Sequence, residues 1–238
     1  MESFRYVDMF ATKDLEYVLV VGFLLVFILF WKYLNKPKRN EIKRAIRSMA
    51  TTNSWFHLAK GLYYHQGHTW VKPESAEVVK VGIDDFAQKL VGKPHSIILP
   101  EKGSRLEQGA EGWKLKIDSR EIAMLSPVEG EVIALNEQAI QAPEIISEDP
   151  YNNGWLLKVR VPKLQSNLKN LLKDTLAVTW MEQTLYKLRQ QMTGELGIVL
   201  QDGGTIVPGF GRELSPEGWE QLAADFFLTK EIPIQEKK

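Results

Sequence analysis

The chain has 238 residues, 30 Lys and Arg against 30 Asp and Glu, and a pI near 6.9, so it carries no overall basic footprint for nucleic acid. It contains no cysteine, which excludes disulfides, thiolate metal sites, Fe–S ligation and thiol catalysis within this chain. Its length suffices for one sizeable core, or for a core plus an anchor and a tail.

The first feature in chain order is "LEYVLVVGFLLVFILFWKYL", residues 15–34, uncharged from Tyr17 to Trp31. It matches the roughly 20 residues that a helix needs to cross a bilayer. Tyr17 at one end and Trp31 and Tyr33 at the other occupy the positions of interfacial aromatic rings. After it come Lys32, Lys36, Lys38, Arg39, Lys43, Arg44 and Arg47 against Glu41, whereas Arg5 and Lys13 before it are outnumbered by Glu2, Asp8, Asp14 and Glu16. The positive-inside bias predicts a single-pass anchor in the inner (cytoplasmic) membrane, with residues 1–14 outside and the rest cytoplasmic. A cleaved signal peptide would carry its charges before the apolar run and a small-residue site after it, so an uncleaved anchor is expected. The basic flank adds an attraction to anionic lipid of about 1 kcal/mol per residue near the surface.

Residues 35–61 read as a basic juxtamembrane helix and linker, with Ile42, Ala45, Ile46 and Met49 at helical spacing and a helix expected over 40–60. From Leu62 to about Val161 the pattern changes to short strands punctuated by Gly and Pro, including "TWVKPE", "AEVVKVGI", "HSIILPEKG" and "GWLLKVRVP". One helical piece interrupts them: "IDDFAQKLVG", with Asp84 or Asp85 placed to cap it and Gly92 to end it. "WKLKIDSREIAMLSPVEGEV", residues 113–132, reads as a hairpin followed by a turn. Many short strands at close spacing predict a small barrel or sandwich.

These residues resemble the H protein of the glycine cleavage system. "HTWVKPESAEVVKVGIDDFAQKLVGKPHSIILPEKG" is followed by "LSPVEGEVIALNEQAIQAPEIISEDPYNNGWLLKVRV", with the family's motifs in order over about residues 62–185. The resemblance implies a lipoyl-type flattened β-barrel of two short antiparallel sheets, with short helices, one of them after the last strand. The predicted fold is therefore mainly β with helical additions: a transmembrane helix, a lipoyl-type domain over 62–190, and a C-terminal loop and amphipathic helix over 191–238.

The resemblance also places the family's lipoyl-lysine at the tip of the hairpin before Ser126-Pro127. Counted along this chain, that position is Ser119, whose hydroxyl does not form the amide that attaches lipoate. The acidic residue normally three positions earlier is Lys116. Lys114 and Lys116 offer a shifted attachment site, but alternation puts Trp113, Leu115 and Ile117 on one face and both lysines on the other, as exposed strand residues. No cofactor is expected.

Other chemistry is sparse. His57, His65, His68 and His95 lie in one third of the chain, but Gly67 within "HQGH" argues for a turn, and His68 falls in the family's His-x-Trp-Val start. No base is placed beside Ser119 to make it a nucleophile. "QDGGTIVPGFGRE" lacks the Gly-Lys-Ser/Thr ending of a P-loop and reads as a loop.

Val178, Met181, Leu185, Leu188 and Met192 form one helical stripe. A last helix is predicted from Ser215 as cap and Pro216 as first residue, with Trp219, Leu222, Ala223, Phe226 and Phe227 on one face. That face either packs on its own domain or docks on a partner, in which case Trp219, Phe226 and Phe227, with Ser119 and Arg120 at the hairpin tip, are the partner-binding candidates. The expected function is that of a non-enzymatic, non-lipoylated accessory or scaffold subunit of a membrane complex. A redox or respiratory complex is the host that the family analogy suggests, and the bilayer and the complex's subunits are the partners. The alternatives are a lipoate carrier modified at Lys116, and an adaptor of the membrane-fusion type in an efflux system.

Overall fold

The computed structural model describes residues 13–34, 55–192 and 206–230. The chain divides into two compact units, Met1–Ser48 and Met49–Lys238. In the first, helix α1 runs Lys13–Leu34, and every large side chain from Tyr17 to Trp31 is exposed. Phe23, Phe27 and Trp31 follow one another at four-residue steps, with ring centroids 6.2 and 6.0 Å apart. Among the described residues no helix is long and apolar enough to cross a membrane. The side chains described in α1 are those of 17–31, a stretch shorter than the roughly 20 residues of a span.

The described residues of the second unit hold ten strands: β1 (Tyr63–His65), β2 (Thr69–Pro73), β3 (Val78–Ile83), β4 (Ser96–Ile98), β5 (Arg105–Leu106), β6 (Glu111–Ile117), β7 (Arg120–Leu125), β8 (Gly130–Leu135), β9 (Trp155–Arg160) and β10 (Leu172–Lys173). They form a seven-stranded sheet in the order β10-β1-β2-β3-β9-β8-β5 and a three-stranded sheet in the order β4-β6-β7, with every pairing antiparallel. Val71, Val79, Val81 and Val159 of one sheet and Leu115, Ile117, Ile122 and Met124 of the other enter a single core. The mainly β architecture expected from the strand pattern is present, as are the two antiparallel sheets that the resemblance implies.

Helix α2 (Asp85–Val91) begins where the sequence indicates. Asp84 accepts a hydrogen bond from the Ala87 N–H at 2.8 Å, and Gly92 closes the helix at φ +79°. Short helices α3 (Glu137–Gln141), α4 (Ile145–Glu148) and α5 (Leu164–Lys169) fill the connections on either side of β9. Helix α6 (Thr175–Gln191) buries Met181 and Leu188 of the expected stripe, with Ala177 and Thr184 beside them.

Three expectations are corrected. The helix anticipated over 40–60 lies outside the described residues up to 54, and residues 55–60 are not helical. Their backbone is engaged by distant side chains instead: the His57 N–H donates to Asp85 at 2.7 Å, the Tyr151 hydroxyl donates to the His57 carbonyl, and the Tyr64 hydroxyl donates to Ala59 at 2.9 Å. Burial of Phe56 against Phe86, with ring centroids 4.8 Å apart, fixes the same segment.

The glycine-rich segment read as loop contains a one-turn helix, α7 (Phe210–Leu214). Gly211 is required there because a Cβ would meet the Leu90 carbonyl at 2.8 Å. The final helix, α8 (Trp219–Phe227), starts at Gly218 rather than Ser215. Ser215 instead closes α7, its N–H donating to Gly211 at 3.1 Å, and Pro216 lies in the intervening turn.

Trp70 is fully buried, its indole N–H shared between the carbonyls of Ile83 at 2.8 Å and Pro150 at 3.1 Å. Its ring lies over Gly82, where a Cβ would sit 2.6 Å from ring carbon and where the β3–β9 register shifts. Gly82→Ala is expected to destabilise the domain by about 1–3 kcal/mol, the usual cost of overpacking a core. An unchanged urea midpoint at constant m-value would refute that requirement.

Candidate functional site at the hairpin tip

The residues that carry the functional question sit on the β6–β7 hairpin. Alternation along β6 buries Trp113, Leu115 and Ile117 and turns Lys114 and Lys116 away, as period-2 pleating requires. Ile117 pairs with Arg120, which leaves Asp118 and Ser119 as a two-residue connection. Asp118 adopts φ +54°, a left-handed conformation that Asp tolerates better than most residues. Ser119 is therefore at the apex, and it is exposed.

Neither neighbouring lysine shares that position. Lys114 is held between Glu121 at 3.3 Å and Glu111 at 3.7 Å. The hydrogen bond to Glu121, with the charges of both carboxylates, raises its ammonium above the ordinary lysine range. Acylation needs the neutral amine, so that shift works against it. Lys116 is exposed but lies on the central strand of its sheet, in register with Ser96 of β4 and Glu121 of β7.

Both flanks of the apex are tied to the C-terminal extension. Arg212 of α7 reaches Asp118 at 3.1 Å, and Glu220 of α8 meets the Arg120 Nε at 2.7 Å. Arg212 also donates to the Val91 carbonyl at 3.3 Å and lies over the Trp219 ring. These partners are far apart in sequence, and no periodicity or motif links them. Opposite charges on two remote segments were the only trace, and such traces are common. Trp219, Phe226 and Phe227, the candidate partner anchors, face inward: their exposures are 7, 4 and 0%. Helix α8 lies beside β7, so these side chains serve their own domain. Ser119 and Arg120 remain at the surface.

The histidine cluster resolves into structural roles. Gln66, Gly67 and His68 form the β1–β2 turn, with the Gly67 N–H donating to His65 Nδ1 at 3.0 Å. Burial, then the proximity of His68, lowers the His65 pKa. His68 is buried, 2.8 Å from Asp84, and stacked on Phe86 at 4.2 Å. Among the described residues no group of three or more His, Asp or Glu side chains is arranged to hold a metal.

The turn after the hairpin is firmly built. The Ser126 hydroxyl donates to the Val128 carbonyl at 2.7 Å, Gln108 bridges the carbonyls of Pro127 and Asn167, and Asn167 accepts from the Glu129 N–H at 2.6 Å. Gly130 permits a close strand approach that a Cβ would block at 2.2 Å from the Arg160 carbonyl.

Comparison with known proteins accounts for this construction. Residues 62–184, slightly more than half the chain, match the family described as Glycine cleavage H-protein. The "Probable glycine cleavage system H protein" of Thermococcus gammatolerans is 34% identical over 127 residues, which cover 53% of this chain and 94% of that protein. Its counterpart in Pyrococcus furiosus is 37% identical over 117 residues, 49% of this chain and 87% of the relative. A crystal structure of a glycine cleavage system H protein from Mycobacterium marinum aligns at 26% identity and a TM-score of 0.41, covering 44% of this chain and 87% of that one. The motifs from His68-Thr69-Trp70-Val71 to Gly154-Trp155-Leu156 all fall inside the matched segment, and the chain belongs to the glycine cleavage H-protein family.

Proposed function

We propose that this chain is a membrane-anchored family member that bears no lipoyl arm and acts as an accessory or scaffold subunit of a membrane complex. The observation that carries the reading is Ser119 at the hairpin apex, the position at which the resemblance puts the lipoyl-lysine. A serine hydroxyl offers an ester at most, where stable attachment needs an amide. Lys114 is engaged by two carboxylates, and Lys116 lies within a paired strand, away from the protruding turn a modifying ligase would grip. With no arm, the domain has binding surfaces but no group to shuttle, and it performs no catalytic step of its own. The intact mass of the protein purified from its native membranes is expected to equal that of the unmodified chain. A mass increase of one lipoyl group, lost in Lys116→Ala, would establish the carrier alternative.

The anchor rests on α1. Its uncharged run from Tyr17 to Trp31 has aromatic residues at both ends and is followed by Tyr33 and Leu34. The uniform exposure of residues 17–31 suits a lipid environment better than water, which would meet apolar surface on every side. The basic residues after the helix and the acidic excess before it favour a cytoplasmic domain. A reporter fused at the C-terminus is expected to be active only in the cytoplasm. Activity on the outer side would favour the adaptor of membrane-fusion type.

The host complex is argued by family analogy: H proteins work beside redox enzymes, so a redox or respiratory assembly is the proposed partner. Affinity purification from gently solubilised membranes is expected to recover membrane and redox subunits in stoichiometric amounts. Recovery of soluble lipoate-handling enzymes alone would refute the scaffold assignment.

A further inference from the structure

The segment that follows the matched family domain lies against the hairpin that carries Ser119. The matched family segment ends at residue 184, whereas α7 and α8 occupy residues 210–227. These helices are integral to the core: Phe210, Trp219, Phe226 and Phe227 are buried with it. The Gly209 N–H donates to the Lys89 carbonyl at 2.7 Å, and Phe86 of α2 meets Phe226 with ring centroids 5.0 Å apart. From that base α8 runs beside β7. The two ion pairs Arg212–Asp118 and Glu220–Arg120 then reach the residues on either side of Ser119.

We propose that the C-terminal extension is a built-in occupant of the hairpin's flank, which denies protein-sized partners access to the apex. This rests on the assignment of Ser119 to the arm position and deepens it: position 119 is closed to an arm-attaching ligase by the residue present and by the tail beside it. Water reaches Ser119, since the residue is exposed. A folded protein needs the surrounding surface as well, and α7 and α8 stand on one side of it, paired to Asp118 and Arg120. The two ion pairs are weak individually, being open to solvent. Their role is to keep the apex aligned with the tail, while the buried aromatic side chains supply the docking energy.

The absence of cysteine gives a direct test in the full-length chain. Ser119→Cys is compared with Ala76→Cys, which lies in the exposed β2–β3 connection. Iodoacetamide is expected to label both at similar rates. A maleimide coupled to a folded carrier protein is expected to label position 119 about tenfold more slowly than position 76, as restricted approach lowers association rates. Adding Arg212→Glu and Glu220→Arg, which turn both ion pairs into repulsions, is expected to raise the bulky reagent's rate at 119 severalfold. Equal bulky labelling at 119 and 76 would overturn the proposal, and so would a slow rate at 119 that the charge reversals leave unchanged. The lipoyl state of the wild-type chain, read separately by mass, decides the functional assignment independently of this result.

Discussion

The buried contact between Asp84 and His68 is the constraint on which the domain's assembly depends. One carboxylate oxygen caps α2 by accepting the Ala87 N–H at 2.8 Å, and the other lies 2.8 Å from the His68 ring. The Asp84 N–H closes the loop by donating to the His68 carbonyl at 3.1 Å. Both side chains are almost fully buried, so each polar atom left unpaired would cost about 1–3 kcal/mol. His68 itself adopts φ +63°, a conformation that carries a penalty outside glycine and persists only when its surroundings over-determine it. Those surroundings are the rings of Phe86 at 4.2 Å, Trp180 at 4.7 Å and Phe227 at 6.1 Å. A single imidazole thus joins the first hairpin, α2, the helix after the last strand and the final helix.

A second node, built on the adjacent residue, fixes the entry into the domain. Asp85 accepts from the His57 N–H, Gln88 and Lys89, each at 2.7 or 2.8 Å, while its own N–H donates to the Tyr151 hydroxyl at 3.0 Å. Burial raises the Tyr151 phenol well above its ordinary pKa, and the nearby Asp84 charge adds to the shift. Tyr151 therefore stays a neutral donor to the His57 carbonyl. Two consecutive aspartates consequently serve different ends: one holds the C-terminal helices through His68, the other the approach from residue 55.

The parts of this structure legible in the sequence were those encoded locally. Asp84 and Gly92 bound α2 because capping is a matter of neighbours, and β6 alternates because pleating has period two. The stripe along α6 lies where 3.6-residue periodicity puts it. What escaped was set by tertiary contact. "PGFGRE" reads as loop because glycine disfavours helix by about 1 kcal/mol; α7 forms because Phe210 is buried beside Phe56 and Phe86. Residues 55–60 have their backbone taken by side chains from remote segments, which no local pattern records. The apolar face of α8 was evident, but periodicity states that a face is buried and not against what. Its burial in this chain's own core, and the two ion pairs at the hairpin apex, are consequences of the assembled fold.

The same separation explains why the fold does not depend on the residue at position 119. Position 119 is an exposed apex between two paired strands, and substitutions at such sites usually change stability by no more than about 0.5 kcal/mol. The Asp84–His68 contact, the Trp70–Gly82 close approach and the Ser126 turn are all made by residues other than Ser119. A serine at the apex therefore leaves the scaffold's energetics almost untouched; on the proposed reading it also withholds the amine that a carrier would need. The fold is held by a buried network, and position 119 is one exposed side chain outside it. The ordered C-terminal helices lie beside β7 and so change the surface around the apex from within the same chain.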